Sequence, residues 1–328
     1  MSHSLDPRLG IQRDAVYAKT LSKDTWRQRI RRAVRHVQAF YEQQIIHPKW
    51  ESRAFTQPAK TLSTCLMTMN AESRIEPLLR YVRQFSDEVV VGVDSKSKDT
   101  TYELCQTSGL VDELFIIDNP SLTCNAGMET LVKRCHGDWI LRLDDDEFPE
   151  PVFAQYKHGI LASEKYTHFK LPRLHLSNVT PDATAPGGYQ IQWINDGYLY
   201  PDYQMRLFKN DLSLLEFPGA VGHLGIRCKG PKGRINTANL IHLNLAMNPR
   251  AKREEKLAKY IQRLNGGWVH PVNEHALLFE DYPYSIQPYE HPDVDFRQIL
   301  STTVLTQRQA FATLSEPLDD SQTSPITG

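Results

Sequence analysis

Residues 139–150 read Trp-Ile-Leu-Arg-Leu-Asp-Asp-Asp-Glu-Phe-Pro-Glu. An apolar run of strand length, interrupted by Arg142, delivers Asp144, Asp145 and Asp146 side by side at its carboxyl end. Three adjacent carboxylates repel one another and are costly to desolvate unless a cation neutralises them. A solvated acidic turn would read the same in isolation, so the surroundings decide. Upstream, apolar runs at residues 62–69, 88–93 and 114–118 alternate with helical patterns at 76–85, 100–108 and 126–135. Strand and helix alternating at this pitch predict βαβ units, hence an α/β chain built on a doubly wound, mostly parallel sheet flanked by helices. In such sheets ligands bind beyond the carboxyl ends of the strands. The triplet therefore stands where a ligand is expected. Oxygen-rich carboxylate sites suit Mg²⁺ or Mn²⁺, which commonly bridge to substrate phosphates.

Two more strand ends fall on the same edge. Thr68-Met-Asn70-Ala-Glu72 follows the first strand, and Asp94-Ser-Lys-Ser-Lys-Asp-Thr100 follows the second. Each alone reads as an ordinary polar turn, but three converging on one crevice point to a nucleotide site. Familiar phosphate and hydrolase signatures are missing. The chain has no GxGxxG after the first strand, no GxxxxGK[ST], no GxSxG and no HExxH.

The chain of 328 residues carries 38 Lys plus Arg against 39 Asp plus Glu, a balance that argues against nucleic acid as a partner of the whole surface. No stretch approaches the ~20 apolar residues of a membrane span, and the first residues lack a secretory h-region, so a cytoplasmic protein is expected. Five cysteines, an odd number without CxxC spacing, read as reduced core residues.

Beyond Pro149 the pattern loosens into strands at 169–176, 189–193 and 205–208 around a Pro/Gly-rich turn at 181–188. A helix is expected from Asn248, with Pro249 in its first turn and Gly266 past its end. The organisation expected is a helical extension at 1–58, the α/β domain at 59–247, a C-terminal helical segment at 248–300 and a flexible tail at 301–328. In the extension Trp26, Ile30, Val34, Val37 and Phe40 or Tyr41 recur at helical spacing, opposite Arg27, Arg29, Arg31, Arg32 and Arg35. The expectation is a surface helix packed on the body through its apolar stripe. The alternative is a basic amphipathic helix over 26–41 in peripheral contact with an anionic membrane.

In order, the blocks LSTCLMTMNAESRIEPLLRYV, DEVVVGVDSKSKDTT, NAGMETLVKRCHGDWILRLDDDEF, MRLFKN with FPGAVGH, and LIHLNLAMNPRAKREEK resemble family 2 glycosyltransferases of the GT-A fold over about residues 60–260. The resemblance implies a nucleotide-sugar donor and a divalent metal, with Thr68, Asn70, Glu72 and Asp94 at the base and ribose and Asn125 lining the donor site. It assigns the Asp-x-Asp element to Asp144 and Asp146, with Asp145 in the donor site, and gives His242, ending a strand before the final helix, to the metal shell. Two departures are visible: Lys98-Asp99-Thr100 lacks the usual glycine, and Leu224 replaces the glutamate that often follows Gly219-Ala-Val-Gly-His223. Resemblance to an inverting family implies single displacement, with one general base for the acceptor hydroxyl. Asp196, Asp202 and Glu216 are the candidates. Asp202 is preferred, because Asp202-Tyr-Gln-Met-Arg206 is similar to the Asp and later Arg near the acceptor in relatives. A glycan or lipid-linked acceptor, in lipopolysaccharide or other cell-surface polysaccharide synthesis, is the expected partner. The rival readings are a nucleotidyltransferase, whose glycine-rich loop has no counterpart in Met67-Thr-Met-Asn-Ala-Glu72, and a non-catalytic nucleotide-sugar-binding module.

Overall fold

A computed structural model describes residues 26–118, 127–182, 184, 189–194, 200–218, 226–248, 252, 253, 255 and 286–288. Its centre is β1 (Leu62–Thr68), flanked by β2 (Glu88–Asp94) and β4 (Trp139–Asp144), with β3 (Glu113–Ile117) outside β2, all parallel. Every residue of β1 is buried. A strand covered on both faces has no wet side to alternate with, which is why it reads as an unbroken apolar run. Leu62 and Leu66 join the larger core with Trp139 and Phe153, whereas Cys65 and Met67 join a second core with Met128 and Ile140 on the other face.

Helices α3 (Ile75–Arg83), α4 (Thr101–Thr107) and α5 (Met128–Lys133) connect these strands. The second half of the sheet is antiparallel: β8 (Asp202–Lys209) pairs with β4, β6 (His168–Pro181) with β8, and β7 (Tyr189–Ile194) with β6. The sheet is the expected mostly parallel kind with antiparallel strands added on one side, and its parallel half carries the three polar strand ends. Two short strands close over that edge. β5 (Glu147–Pro149) pairs antiparallel with β12 (Leu240–His242), which also runs parallel to β6.

Among the described residues the remaining strands are minor. β9 (Leu215–Glu216) and β10 (Arg227–Cys228) form a separate ribbon. β11 (Lys232–Arg234) joins β6, and β13 (Ile286–Pro288) joins β7. Helix α6 (Pro151–Leu161) was hidden by the proline at its start; Pro151 belongs to the first turn, where a missing N–H costs nothing. Beyond the four-residue α7 (Asn244–Met247), the helix expected from Asn248 and the tail at 301–328 lie almost wholly outside the described residues. Cys65, Cys105 and Cys135 are buried thiols, as expected of core cysteines, Cys228 is half-buried, and Cys124 lies outside the described residues. Burial pushes the Cys105 thiol up to about 12.

The extension corrects one expectation. Helix α1 (Trp26–Tyr41) runs through a π-helical turn (Glu42–Ile46) into α2 (His47–Thr56). Its apolar stripe does not face the body: Ile30, Val34, Val37 and Phe40 are exposed, the last two by 67 % and 64 %. The polar side docks instead. Buried Glu42 accepts from the Asn236 and Thr237 main-chain N–H groups and from both their side chains, at 2.6–3.1 Å. Arg35 donates to Asn239 Oδ1 at 3.0 Å and lies over the Tyr200 ring. A carboxylate that finds donors for both oxygens anchors a helix as firmly as an apolar stripe would. That leaves the stripe outward.

Candidate functional site

The three strand ends meet because their registers align: Thr68 lies opposite Val93 of β2, and Met67 opposite Asp144 of β4. The loops that follow β1 and β2 are cross-linked. Asn70, at φ 51°, donates its N–H to Ser97 Oγ and accepts from the Lys98 N–H at 2.8 Å. Asparagine tolerates this left-handed conformation better than most side chains. Glu72 accepts from Thr100, while Asp99 accepts from Glu72 N–H and from Thr101. Asp94 is buried and accepts the Lys96 N–H at 2.9 Å. Asn70, Glu72 and Asp94 thus share one edge, held in a rigid two-loop rim.

The aspartate triplet divides into three environments. Asp145 turns back under the rim, accepting from Thr68 Oγ1 and Arg74 Nη2, both at 2.7 Å. Asp144 is gripped by Arg142 and by Arg206 Nη2, the latter at 2.8 Å. Asp146 faces His242, whose Nε2 is 3.5 Å from Asp146 Oδ2. This last contact follows from strand pairing. β12 sets His242 opposite Glu147 of β5, and the Leu243 N–H bonds the Asp146 carbonyl at 2.9 Å.

Behind the triplet lies an ion network not read from the sequence. Glu147 is fully buried and accepts from Arg206 Nε at 2.7 Å and Nη2 at 2.8 Å. Burial alone would raise its pKa, but Arg206, Arg173 and Arg142 outweigh that and hold it at about 2. Arg173 donates twice to Asp202 Oδ2, at 2.9 and 2.6 Å, and Gln204 donates to Oδ1 at 2.7 Å. Burial opposes ionisation of Asp202 as well, yet His175 and Arg173 hold its carboxyl far below the usual range. Both Asp202 oxygens are thus engaged, Oδ2 by Arg173 and Oδ1 by Gln204, and the side chain anchors Arg173.

Glu216 lies on the separate ribbon, ion-paired to Lys229 at 3.2 Å and outside this cluster. Asp196, Asn125 and the residues 219–225 lie outside the described residues. One of the network's members left a trace in the sequence: Arg142 is a charge within an otherwise apolar strand segment, where an unpaired ion is not tolerated. Arg74, Arg173 and His175 left none, because their partners are 71, 29 and 67 residues away.

Asp146 and His242 present a carboxylate oxygen and an imidazole nitrogen to one point, a donor pair suited to Mn²⁺. Among the described residues no three His, Cys, Asp or Glu side chains gather into a cage. The other positions would then fall to substrate oxygens and water, the usual arrangement for such ions.

Residues 63–155 match the family model for glycosyl transferase family 2. An uncharacterized glycosyltransferase of Rickettsia bellii is 29 % identical over 132 residues, 39 % of this chain and 43 % of the relative. One of Rickettsia typhi is 34 % identical over 88 residues, 27 % of this chain and 28 % of the relative. The chain thus spans less than half the length of either. Among solved structures, glucosyl-3-phosphoglycerate synthase of Mycobacterium tuberculosis with Mn²⁺, UDP and glucosyl-3-phosphoglycerate aligns over 68 % of this chain and 85 % of that one, at 17 % identity and a TM-score of 0.40. The resemblance to family 2 glycosyltransferases read from the sequence blocks is borne out over residues 63–155, the segment that carries β1 to β5 and the triplet.

Proposed function

We propose that the chain is a metal-dependent, inverting glycosyltransferase that moves a sugar from a nucleoside diphosphate to an acceptor hydroxyl. The observation that carries this reading is the meeting of Asp146 and His242 at 3.5 Å, at the ligand-binding edge of a family 2 segment. Asp146 and His242 would hold a divalent ion, which when bound would supply Lewis-acid stabilisation of the departing diphosphate. Asp144, both of whose oxygens contact arginines, stands behind them and keeps Arg206 and Arg142 in place. The rim of Thr68, Asn70, Glu72 and Asp94, with Asn125, takes the base and ribose. Asp145 braces the rim through Arg74. The acceptor hydroxyl passes its proton to a general base, the role the sequence reading gives first to Asp202, as its oxygen attacks the anomeric carbon and the bond to the diphosphate oxygen breaks, inverting configuration. The acceptor is a glycan or lipid-linked hydroxyl, reached from the cytoplasmic face of a membrane. The outward apolar stripe of α1 supports the membrane part of this reading.

The test is thermal unfolding of the protein with Mn²⁺ and each of UDP, GDP and dTDP. At least one nucleotide raises the melting temperature in a Mn²⁺-dependent way, and Asp146→Ala abolishes the shift. A response to nucleoside triphosphates alone would favour a nucleotidyltransferase.

A further inference from the structure

β12 runs parallel to β6 in a register that pairs His242 with His175. The two rings stand nearly perpendicular, with Nδ1 atoms 2.9 Å apart. One Nδ1 must donate and the other accept, so the pair has two arrangements, and they differ in what His242 offers on its far side. If His175 donates, the His242 proton moves to Nε2, which then points an N–H at Asp146 and cannot ligate. If His242 donates, its Nε2 carries a lone pair beside Asp146 Oδ2. The choice depends on His175 Nε2. That atom is buried without a hydrogen-bond partner, and His175 is 6 % exposed. The carboxylate Oδ2 of Asp202 lies 3.9 Å away, beyond hydrogen-bond reach but close enough for strong attraction in a buried site. A lone pair facing that charge is repelled and an N–H is attracted. The same attraction acts at His242 Nε2 through Asp146 Oδ2 at 3.5 Å, so it is with a cation neutralising Asp146 that His175 would carry its proton on Nε2 and accept at Nδ1.

We infer that His175 is a positioning residue that fixes His242 in its metal-ligating tautomer, with Asp202 orienting His175 in turn. This inference rests on the metal-site reading above and adds an outer partner to it. Metal-bound histidines generally donate their other ring nitrogen to an acceptor that sets tautomer and orientation. Here that acceptor is a second imidazole rather than a carboxylate, and the carboxylate stands one step further out.

The experiment compares wild type, His242→Ala, His175→Leu and His175→Asn, each as the full chain. Mn²⁺ binding is measured by electron paramagnetic resonance with saturating UDP, GDP or dTDP, and nitrogen coupling to the bound ion by electron spin-echo modulation. Wild type shows directly coordinated nitrogen, and His242→Ala loses it. His175→Leu fills the pocket but cannot accept, so it weakens Mn²⁺ by about 10- to 100-fold and loses the nitrogen signal. His175→Asn keeps an acceptor oxygen and recovers both. Retention of full affinity and nitrogen signal in His175→Leu overturns the inference while the metal site stands. Loss of both readouts in His175→Leu without recovery in His175→Asn also overturns it, since bulk and not hydrogen bonding would then be at issue. Failure of wild type to take up Mn²⁺ with any nucleotide overturns the metal-site reading itself, and this inference with it.

Discussion

Glu147 is the residue on which the network turns. It lies in a three-residue strand with no exposed surface and meets Arg206 and Arg173. Removing one partner of a buried ion pair leaves an uncompensated charge and costs about 3–5 kcal/mol. Glu147→Gln, nearly isosteric, is expected to lower unfolding free energy by that order in urea titrations. The pH dependence has a definite sign. Glu147 titrates at about 2 in the fold against an ordinary 4.5, so its ionised form stabilises the protein above pH 4.5. That contribution drains away as pH falls from 4.5 towards 2. The Gln variant should show a flatter stability curve across that window, and equal slopes would refute the assignment. The neighbouring aspartates were conspicuous in the sequence because three acids in a row are rare after an apolar run. Glu147 was adjacent to them and still unread. Its meaning depends on arginines 26 and 59 residues downstream, and no local pattern encodes that distance.

At the scale of elements, legibility followed coverage. β1, β2 and β4 are buried on both faces, so their apolar runs marked them clearly, and the polar residues at their ends marked the site edge. β12 has three residues and α6 begins at a proline, so neither offered a period to read. α6 also depends on a contact between distant segments. Ideal Cβ geometry at Gly159 would lie 2.0 Å from the Trp50 carbonyl oxygen of α2, so the two helices cross where a side chain is missing. The obstacle is backbone and cannot rotate away. Gly159→Ala should force the helices apart and cost about 1–3 kcal/mol as an overpacking change, despite the better helix propensity of alanine. A calorimetric melting temperature at or above wild type would show that the crossing is looser than described.

At the scale of the whole molecule, the extension is amphipathic in reverse. Glu42, Arg35 and His47 fasten it to the 235–239 segment, and that segment is joined through Asn239 to Glu150 at the start of α6. The helix is thus oriented by polar contacts, and its apolar stripe is presented outward together with Phe55, 90 % exposed. The sequence showed the two faces but not which one the body would take, because the deciding donors belong to residues nearly two hundred positions away. Among the described residues no helix is long and apolar enough to cross a membrane, so contact through this stripe would be along a surface. By sequence, Arg27, Arg29, Arg31 and Arg32 give this segment the positive charge that anionic headgroups would attract. Sedimentation with phosphatidylglycerol-rich vesicles should carry the wild-type protein down, and pure phosphatidylcholine vesicles should leave most of it in solution. Replacing Val37 and Phe40 by glutamate should abolish co-sedimentation even at low salt. Removing the four arginines should weaken it and flatten its salt dependence, since screening acts on the charges and not on the apolar contact. Arg35 is kept in both variants, because its tie to Asn239 and Tyr200 holds the helix in place. Equal partitioning of wild type and the Val37/Phe40 variant would remove the lipid surface as the partner of this face.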